Sequence, residues 1–301
     1  MRANKKGAAR CAPTEMIRCV AEITSQAPGR LPPEAVADFY RDAGYDFFAL
    51  TDHFWEVYNF PVTDTRALRS RSFTTLLGAE IHAPVTSKNH DWHIVALGLP
   101  LDFAPWTSGE TMQAMSMRAA AVGAFLGIAH PQWYRLTTAD ALSLPLAHAI
   151  EIYNHGCAID CDRGDGFVVL EEVLAAGKRL NAYAADDAHF QTPDAGGGWV
   201  MVKAEALEPE LLLSALKQGD FYSSQGPQIH DITVDGNEVR VACSSAISVS
   251  ISGSGTGSRS EHGCDLTRAK LSLDPFGEGC YFRVTVTDDK GRRAWSNPIW
   301  L

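Results

Sequence analysis

The stretch FFALTDHFW, residues 47–55, is an apolar and aromatic run that is interrupted by an acid and an imidazole, Asp52 and His53. The segment before it, LPPEAVADFYRDAGY from Leu31, opens with two prolines, carries apolar positions at helical spacing and reaches Gly44 near its end. That pattern predicts a helix followed by a stop signal. A short apolar run directly after a helix is typical of a buried strand. We therefore predict a strand with Asp52 and His53 at its carboxyl end.

The alternation of strand and helix continues along the chain. Further strands are predicted in apolar segments, namely TTLLGAEI (74–81), HIVALGL (93–99), GIAHP (127–131), AIEIYN (149–154) and RLNAYAADDAH (179–189). Helices are predicted in TMQAMSMRAAAVGAFL (111–126) and VVLEEVLAAGK (168–178). Strands that alternate with helices indicate an α/β fold with a largely parallel sheet or barrel.

The pattern changes after about Ser224. The segment ITVDGNEVRVAC (232–243) places Asp-Gly between alternating apolar stretches, which is typical of antiparallel strands. We predict three parts: residues 1–20 form a disordered or irregular N-terminus, residues 21–225 form the barrel, and residues 226–301 form a small antiparallel β domain.

Composition excludes several classes of protein. A chain of 301 residues, of which 46% are hydrophobic and 21% charged, can bury a large core. The formal net charge of -10 argues against binding to duplex nucleic acid, which requires clustered lysine and arginine. No apolar run reaches the roughly 18 residues that a membrane helix needs, and the basic start lacks an apolar signal segment. The seven cysteines, an odd number at irregular spacing, favour free thiols. We expect a soluble, cytoplasmic protein.

Imidazoles and carboxylates follow the predicted strands. The candidate site residues are His53, Glu80, His93, His130, Asp187 and His189. In α/β barrels and sheets, sites are assembled at the carboxyl ends of strands. Neutral imidazole and ionised carboxylate are the usual donors for divalent zinc, manganese or iron. The sequence therefore predicts a metal site formed by successive strand ends.

The ordered set of these segments resembles the PHP (polymerase and histidinol phosphatase) superfamily. The resemblance is carried by TDH at 51–53, GAE at 78–80, HIVALG from His93, AHP at 129–131 and DDAH at 186–189, and it runs from about Leu31 to Gln225. It implies a distorted (β/α)7 barrel holding two or three metal ions, which activate a hydroxide to hydrolyse phosphate esters. For this chain we expect one to three divalent ions. The segments GGGWVMVKAEAL, GDFYSSQGPQIHDI and RRAWSNPIW further resemble PHP-like phosphoesterases with a C-terminal β domain.

The resemblance also implies roles for individual residues. Glu80, His93 and His130 match the ligands of the second metal, Glu80 and Asp187 those of the first, and His53 and His189 those of the third. His53 or His189 would act as the general acid where it is not a ligand. Residues expected to support the ligands or contact the substrate are Asp52, Asn154, Asp186 and Arg135. Lys88, like Arg135, is a candidate to hold phosphate, although a solvated surface charge is the favoured interpretation of each. His82 and His90 are interpreted as exposed loop histidines rather than spare ligands.

One departure from the family pattern concerns the first strand. Members begin with His-x-His and a later aspartate, whereas Ala21, Ile23 and Pro28 take those places here. Glu22 is one position off and would point to the other face of a strand. Two explanations stay open: a divergent member with fewer metals, or an N-terminal stretch altered relative to a working relative, for example by a shifted reading frame.

The sequence therefore predicts a metal-dependent phosphoesterase acting on a small phosphorylated substrate, with a nucleotide possible. The alternative is a catalytically inactive barrel that serves as a binding or scaffolding protein. A metal-dependent amidohydrolase is a third hypothesis, weakened because paired histidines and a barrel lysine ligand are not evident.

Overall fold

The computed structural model describes residues 15–20 and 31–301. Its six helices are α1 Pro33–Asp42, α2 Met112–Ala121, α3 Thr138–Leu142, α4 His155–Cys161, α5 Phe167–Ala175 and α6 Pro209–Gln218, and two short 3-10 turns lie at Glu56–Tyr58 and Arg66–Leu68. Its strands up to residue 224 are β1 Glu15–Val20, β2 Phe47–Leu50, β3 His53–Phe54, β4 Thr74–Ile81, β5 Ile94–Leu97, β6 Phe125–Ile128, β7 Ala149–Asn154, β8 Asn181–Ala185, β9 Trp199–Ala204 and β10 Phe221–Ser224. The later strands are β11 Ile229–Asp235, β12 Glu238–Gly253, β13 Ser258–Ser272, β14 Tyr281–Thr287, β15 Arg293–Ser296 and β16 Ile299–Trp300.

The described strands form one mixed sheet, of which thirteen follow the order β11-β12-β14-β15-β10-β9-β1-β2-β4-β5-β6-β7-β8. The other three lie off this path, where β13 pairs with β12, β16 with β14 and β3 with β4. The segments β1-β2-β4 and β6-β7-β8 are parallel, whereas β5 is antiparallel to both of its neighbours. Strands β2, β5 and β6 are buried along their whole length, as expected for strands covered on both faces. The predicted α/β class is confirmed.

The predicted closed barrel differs from the observed sheet. In the described part of the chain, no strand pairing joins β8 to β10, so the hydrogen-bonded order is open there. Side chains take up the backbone groups that such a pairing would use. Asn297 Oδ1 accepts a hydrogen bond from Ala182 N at 2.7 Å, and Ser223 Oγ donates to Ala182 O at 2.9 Å.

The N-terminal segment also differs from its prediction as an irregular stretch through residue 20. Residues 15–20 form β1, which is paired in parallel with β2 and antiparallel with β9. Ile17 and Cys19 alternate into the core. The sequence pattern of residues 15–20 is too short to predict a strand by itself. The segment forms a strand because β2 and β9 supply hydrogen bonds on its two sides. Strands β9 and β10 and helix α6 were likewise not predicted.

The C-terminal strands continue the same sheet. The predicted boundary at 225/226 lies between β10 and β11, but β15 returns to pair with β10. Trp295 on β15 packs into the core formed by the α/β part of the chain. Helices of the described chain are all too short or too polar to cross a membrane, and no disulfide joins the described cysteines.

Candidate metal centre

Glu80 lies at the centre of the site. It occupies the carboxyl-terminal part of β4, and the parallel register of β3 and β4 places His53 directly opposite it. Gly78 precedes it by two residues, and a Cβ atom there would lie 2.6 Å from the Ala96 carbonyl oxygen. Glycine therefore allows β5 to approach β4 closely. The Glu80 side chain is only 2% exposed.

Four imidazoles surround the two oxygens of the Glu80 carboxylate. On the Oε1 side, His93 Nδ1 lies at 2.6 Å and His130 Nε2 at 3.2 Å. On the Oε2 side, His53 Nδ1 lies at 2.6 Å and His82 Nε2 at 3.6 Å. The carboxylate thus has one pair of histidines for each oxygen.

Backbone groups orient two of these histidines. His82 follows β4 directly, and its Nδ1 donates to the Trp92 carbonyl oxygen at 3.0 Å. His130 follows β6 with a positive φ of 22°, and its backbone N–H donates to Glu151 Oε2 at 2.6 Å. Uncommon backbone conformations and hydrogen bonds from outside the ligand set are frequent where side chains must point into a functional site.

Asp187 and His189 approach the same cavity from the end of β8. Asp187 has a φ of 52°, in the left-handed region that aspartate tolerates better than most residues. Asn154 Nδ2 donates to Asp187 Oδ2 at 3.2 Å. His189 Nδ1 donates to the Asp187 carbonyl oxygen at 2.8 Å, and its ring centre lies 6.0 Å from that of His53.

A cavity of about 270 Å³ opens onto the histidines, and aromatic side chains form part of its wall. The Trp55 ring stacks on His53 with ring centres 4.6 Å apart, and Trp133 contacts His93 and His130. Among the described residues that line this cavity, none is a lysine or an arginine. Arg135 is exposed and lines a separate cavity together with Lys88, so these two cations are not brought to the histidines.

Burial and mutual contact shift the pKa values of the cluster. Burial alone would raise the pKa of the Glu80 carboxyl, but the surrounding histidines hold it well below its usual value. Burial lowers the pKa of His93 to about 3. Burial also opposes charge on His130, yet its hydrogen bond to Glu80 and the nearby carboxylates raise its pKa to about 9. Burial raises the pKa of Asp187, and that of Glu151 to about 8.

The donor set fits a divalent cation. Two groups of donors lie within 4.8 Å of one another, His53 with Glu80 and His82, and Glu80 with His93 and His130. Imidazole nitrogen and carboxylate oxygen suit zinc, manganese or iron. The buried carboxylates of Glu80 and Asp187 also need positive charge, which no lysine or arginine of the cavity lining supplies.

Two other residues of the predicted set serve the surrounding structure. Both oxygens of Asp186 are engaged, accepting hydrogen bonds from the Tyr40 hydroxyl and from the backbone N–H groups of residues 196–198. Asp52 is buried, and it accepts a hydrogen bond from Thr63 Oγ1 at 2.5 Å. In this structure Asp186 holds the loop before β9, and Asp52 holds the segment after β3.

The six predicted strand-end residues all converge on one region, and His82 was missed. His82 is buried against Glu80 instead of lying exposed in the loop, whereas His90 is exposed as predicted. The signal was present in the sequence, because Glu80 and His82 are two residues apart and alternate residues of a strand share a face. Ala21, Ile23 and Pro28, which take the places of ligands in the family pattern, lie outside the described residues, and so does Glu22.

Comparison with solved structures identifies the fold. A two-domain protein from Bacteroides vulgatus, containing a predicted PHP-like metal-dependent phosphoesterase, superposes with a TM-score of 0.53 at 14% identity over 98% of this chain and 100% of that chain. An amidohydrolase from Chromobacterium violaceum, with bound sulfate and no metal, gives a TM-score of 0.44 at 15% identity over 58% of this chain and 89% of that one. No protein-family model matches the chain, and no curated protein matches it in sequence. This chain therefore shares the fold of a two-domain protein that contains a predicted PHP-like phosphoesterase, and the resemblance predicted from its motifs is confirmed at the level of the fold.

Proposed function

We propose that this chain is a metal-dependent phosphoesterase that hydrolyses a small phosphorylated substrate. The observation that carries the proposal is the buried Glu80 carboxylate, which has two imidazoles against each oxygen. Three of these histidines, His53, His93 and His130, line an open cavity. Such a donor set suits a metal-dependent hydrolase, in which water is the nucleophile. The likeness of the fold to a protein with a PHP-like phosphoesterase points to the phosphate ester as the bond that is cleaved.

The residues of the site would have different roles in this reaction. Glu80, His93 and His130 would hold a divalent ion, which when bound acts as a Lewis acid and makes water a nucleophile at neutral pH. Glu80 supplies the negative charge of this set, and the Glu151 carboxylate fixes the backbone of His130. His189 lines the cavity, and its Nδ1 proton is donated to a backbone carbonyl. Its Nε2 is therefore the atom from which a protonated His189 would donate to the leaving oxygen.

The cavity favours a small substrate. Its volume of about 270 Å³ accommodates a phosphoryl group and a compact leaving group. Because its described lining has no lysine or arginine, phosphate charge would be balanced by bound cations and protonated imidazoles. Trp55 and Trp133 offer flat apolar faces, which would suit a sugar or a nucleotide base.

Turnover by the unaltered chain tests this function. The protein is stripped with a chelator, reloaded with manganese or zinc, and assayed with an aryl phosphate. We expect hydrolysis that depends on the added ion and that disappears when the chelator returns. A chain that binds metal but releases no phosphate from any ester would instead support the inactive binding protein.

A second prediction concerns His189. Replacing His189 by glutamine should lower the rate on an alkyl phosphate by about 100-fold, because a poor leaving group needs a proton from the general acid. The rate on p-nitrophenyl phosphate should fall much less, since that leaving group departs as an anion. Metal content is measured in parallel. Equal losses on both esters, accompanied by loss of bound metal, would show that His189 is a ligand and not the acid.

A further inference from the structure

His82 is the residue of the cluster to which the family pattern gives no role. Its side chain is 2% exposed, and the Trp55 ring lies over it with ring centres 4.4 Å apart. A carbonyl oxygen can only accept a hydrogen bond, so the contact of Nδ1 with the Trp92 carbonyl requires the proton to be on Nδ1. The lone pair of Nε2 consequently points into the cluster. This is the tautomer and the type of outer hydrogen bond that metal-binding histidines commonly have.

The three donors of the Oε2 side have the spacing of a ligand set. His53 Nδ1 is 2.6 Å from Glu80 Oε2 and 3.1 Å from His82 Nε2. Glu80 Oε2 and His82 Nε2 are 3.6 Å apart. Donors held tetrahedrally around an ion at about 2.1 Å would be about 3.4 Å apart. Small shifts of side chains would therefore bring all three atoms to coordinating distance.

His53 also faces this set more directly than the partner that the resemblance implies. The resemblance pairs His53 with His189 around a third metal. Here His53 Nδ1 contacts both Glu80 and His82, and the His53 ring centre lies 5.2 Å from that of His82 but 6.0 Å from that of His189. The geometry thus groups His53 with His82.

We propose that His53, His82 and Glu80 form a second cation site, in which His82 supplies a donor in place of those that related chains take from their first strand. Glu80 then bridges two ions, one held with His53 and His82 and the other with His93 and His130. This proposal rests on the proposed function, because both require a cation at Glu80. It adds a second site, and loss of that site would leave the ion held by His93 and His130 in place.

The test counts metal ions in the full-length chain. Chelator-treated protein is titrated with Mn²⁺, desalted and subjected to elemental analysis, and circular dichroism verifies folding. We expect two ions per chain for the unaltered protein and one for His82→Gln. His53→Gln should lose the same ion, and His130→Gln should lose the other one. His90→Gln is the matched control, since His90 is an exposed histidine of the same loop, and it should retain two ions.

Affinity and spectroscopy give a second readout. Loss of His82 should lower the affinity of the chain for the second ion by more than about 100-fold, because even outer partners of metal ligands affect affinity by 10–100-fold. In the unaltered chain, electron paramagnetic resonance should change from the signal of isolated Mn²⁺ at one equivalent to that of a coupled pair at two. This measurement requires no variant, so it remains decisive if His82→Gln fails to fold.

Three outcomes would overturn the proposal. Two ions retained by His82→Gln, or a single uncoupled ion in the unaltered chain at saturating Mn²⁺, would remove the second site while leaving the phosphoesterase function intact. Absence of any bound ion in the unaltered chain would overturn both proposals together.

Discussion

Replacing Glu80 by glutamine should release all bound metal from the site and lower phosphate ester hydrolysis by about 10³-fold or more. Within residues 15–20 and 31–301, the Glu80 carboxylate is the group that contacts all four histidines. Glutamine has nearly the same shape but carries no charge, and its NH₂ group must face one of the two imidazole pairs. A donor N–H then occupies the place of a ligand oxygen, and the remaining imidazoles have no anion to balance a divalent cation.

The measurement is elemental analysis together with the aryl phosphate assay. Glu56→Gln is the matched control, because Glu56 is an exposed glutamate three residues after His53 and makes the same change of charge. It should leave metal content and rate unchanged. If Glu80→Gln retained its metal and its rate, the ligands would have to be sought elsewhere in the chain.

The convergence of the site could be predicted because it depends on strand order and not on detailed packing. Glu80, His130 and Asp187 each lie at or just beyond the end of a buried apolar strand, and those ends meet at one edge of the sheet. The local pattern is sufficient for such residues. It identifies the residues that lie at the carboxyl end of a strand, and the topology of an α/β fold brings these ends together.

The roles of neighbouring residues could not be predicted in the same way. Asp186 and Asp187 are adjacent acids, but the first accepts hydrogen bonds from the Tyr40 hydroxyl and three amides of the loop before β9, and the second faces the cavity. Tyr40 is 146 residues away in sequence. Nothing in the local pattern indicates which of two acids a distant hydroxyl will reach.

The open seam of the sheet has a similar origin. A parallel α/β pattern favours closure into a barrel, yet β8 and β10 are joined here through Ser223 and Asn297. Asn297 comes from the far end of the chain, beyond the predicted domain boundary. The sequence pattern describes strands one at a time, whereas closure depends on which side chains fill the gap between the last two.

Removal of residues 226–301 should leave a chain that does not fold stably. The deletion takes β15 away from β10, and it removes Trp295, which is 4% exposed and packs near Tyr153 and Phe167. Loss of a buried tryptophan costs about 3–5 kcal/mol. Three hydrogen bonds of Asn297, to Ala182 N, Gly219 O and Phe221 O, contribute about 1 kcal/mol each. Together these losses are of the order of the total stability of a typical domain, about 5–15 kcal/mol.

Full-length Trp295→Ala isolates the largest of these contributions. Its free energy of unfolding in denaturant should fall by about 3–5 kcal/mol, while the metal ligands stay in place because Trp295 does not line the cavity that opens onto the histidines. Trp133→Ala is the control, since Trp133 is 43% exposed and its loss should affect stability by much less. If the deleted chain unfolded cooperatively at the same denaturant concentration as the intact one, residues 21–225 would be an independent folding unit. The contacts of β15 and Asn297 would then hold the two parts together without stabilising either one.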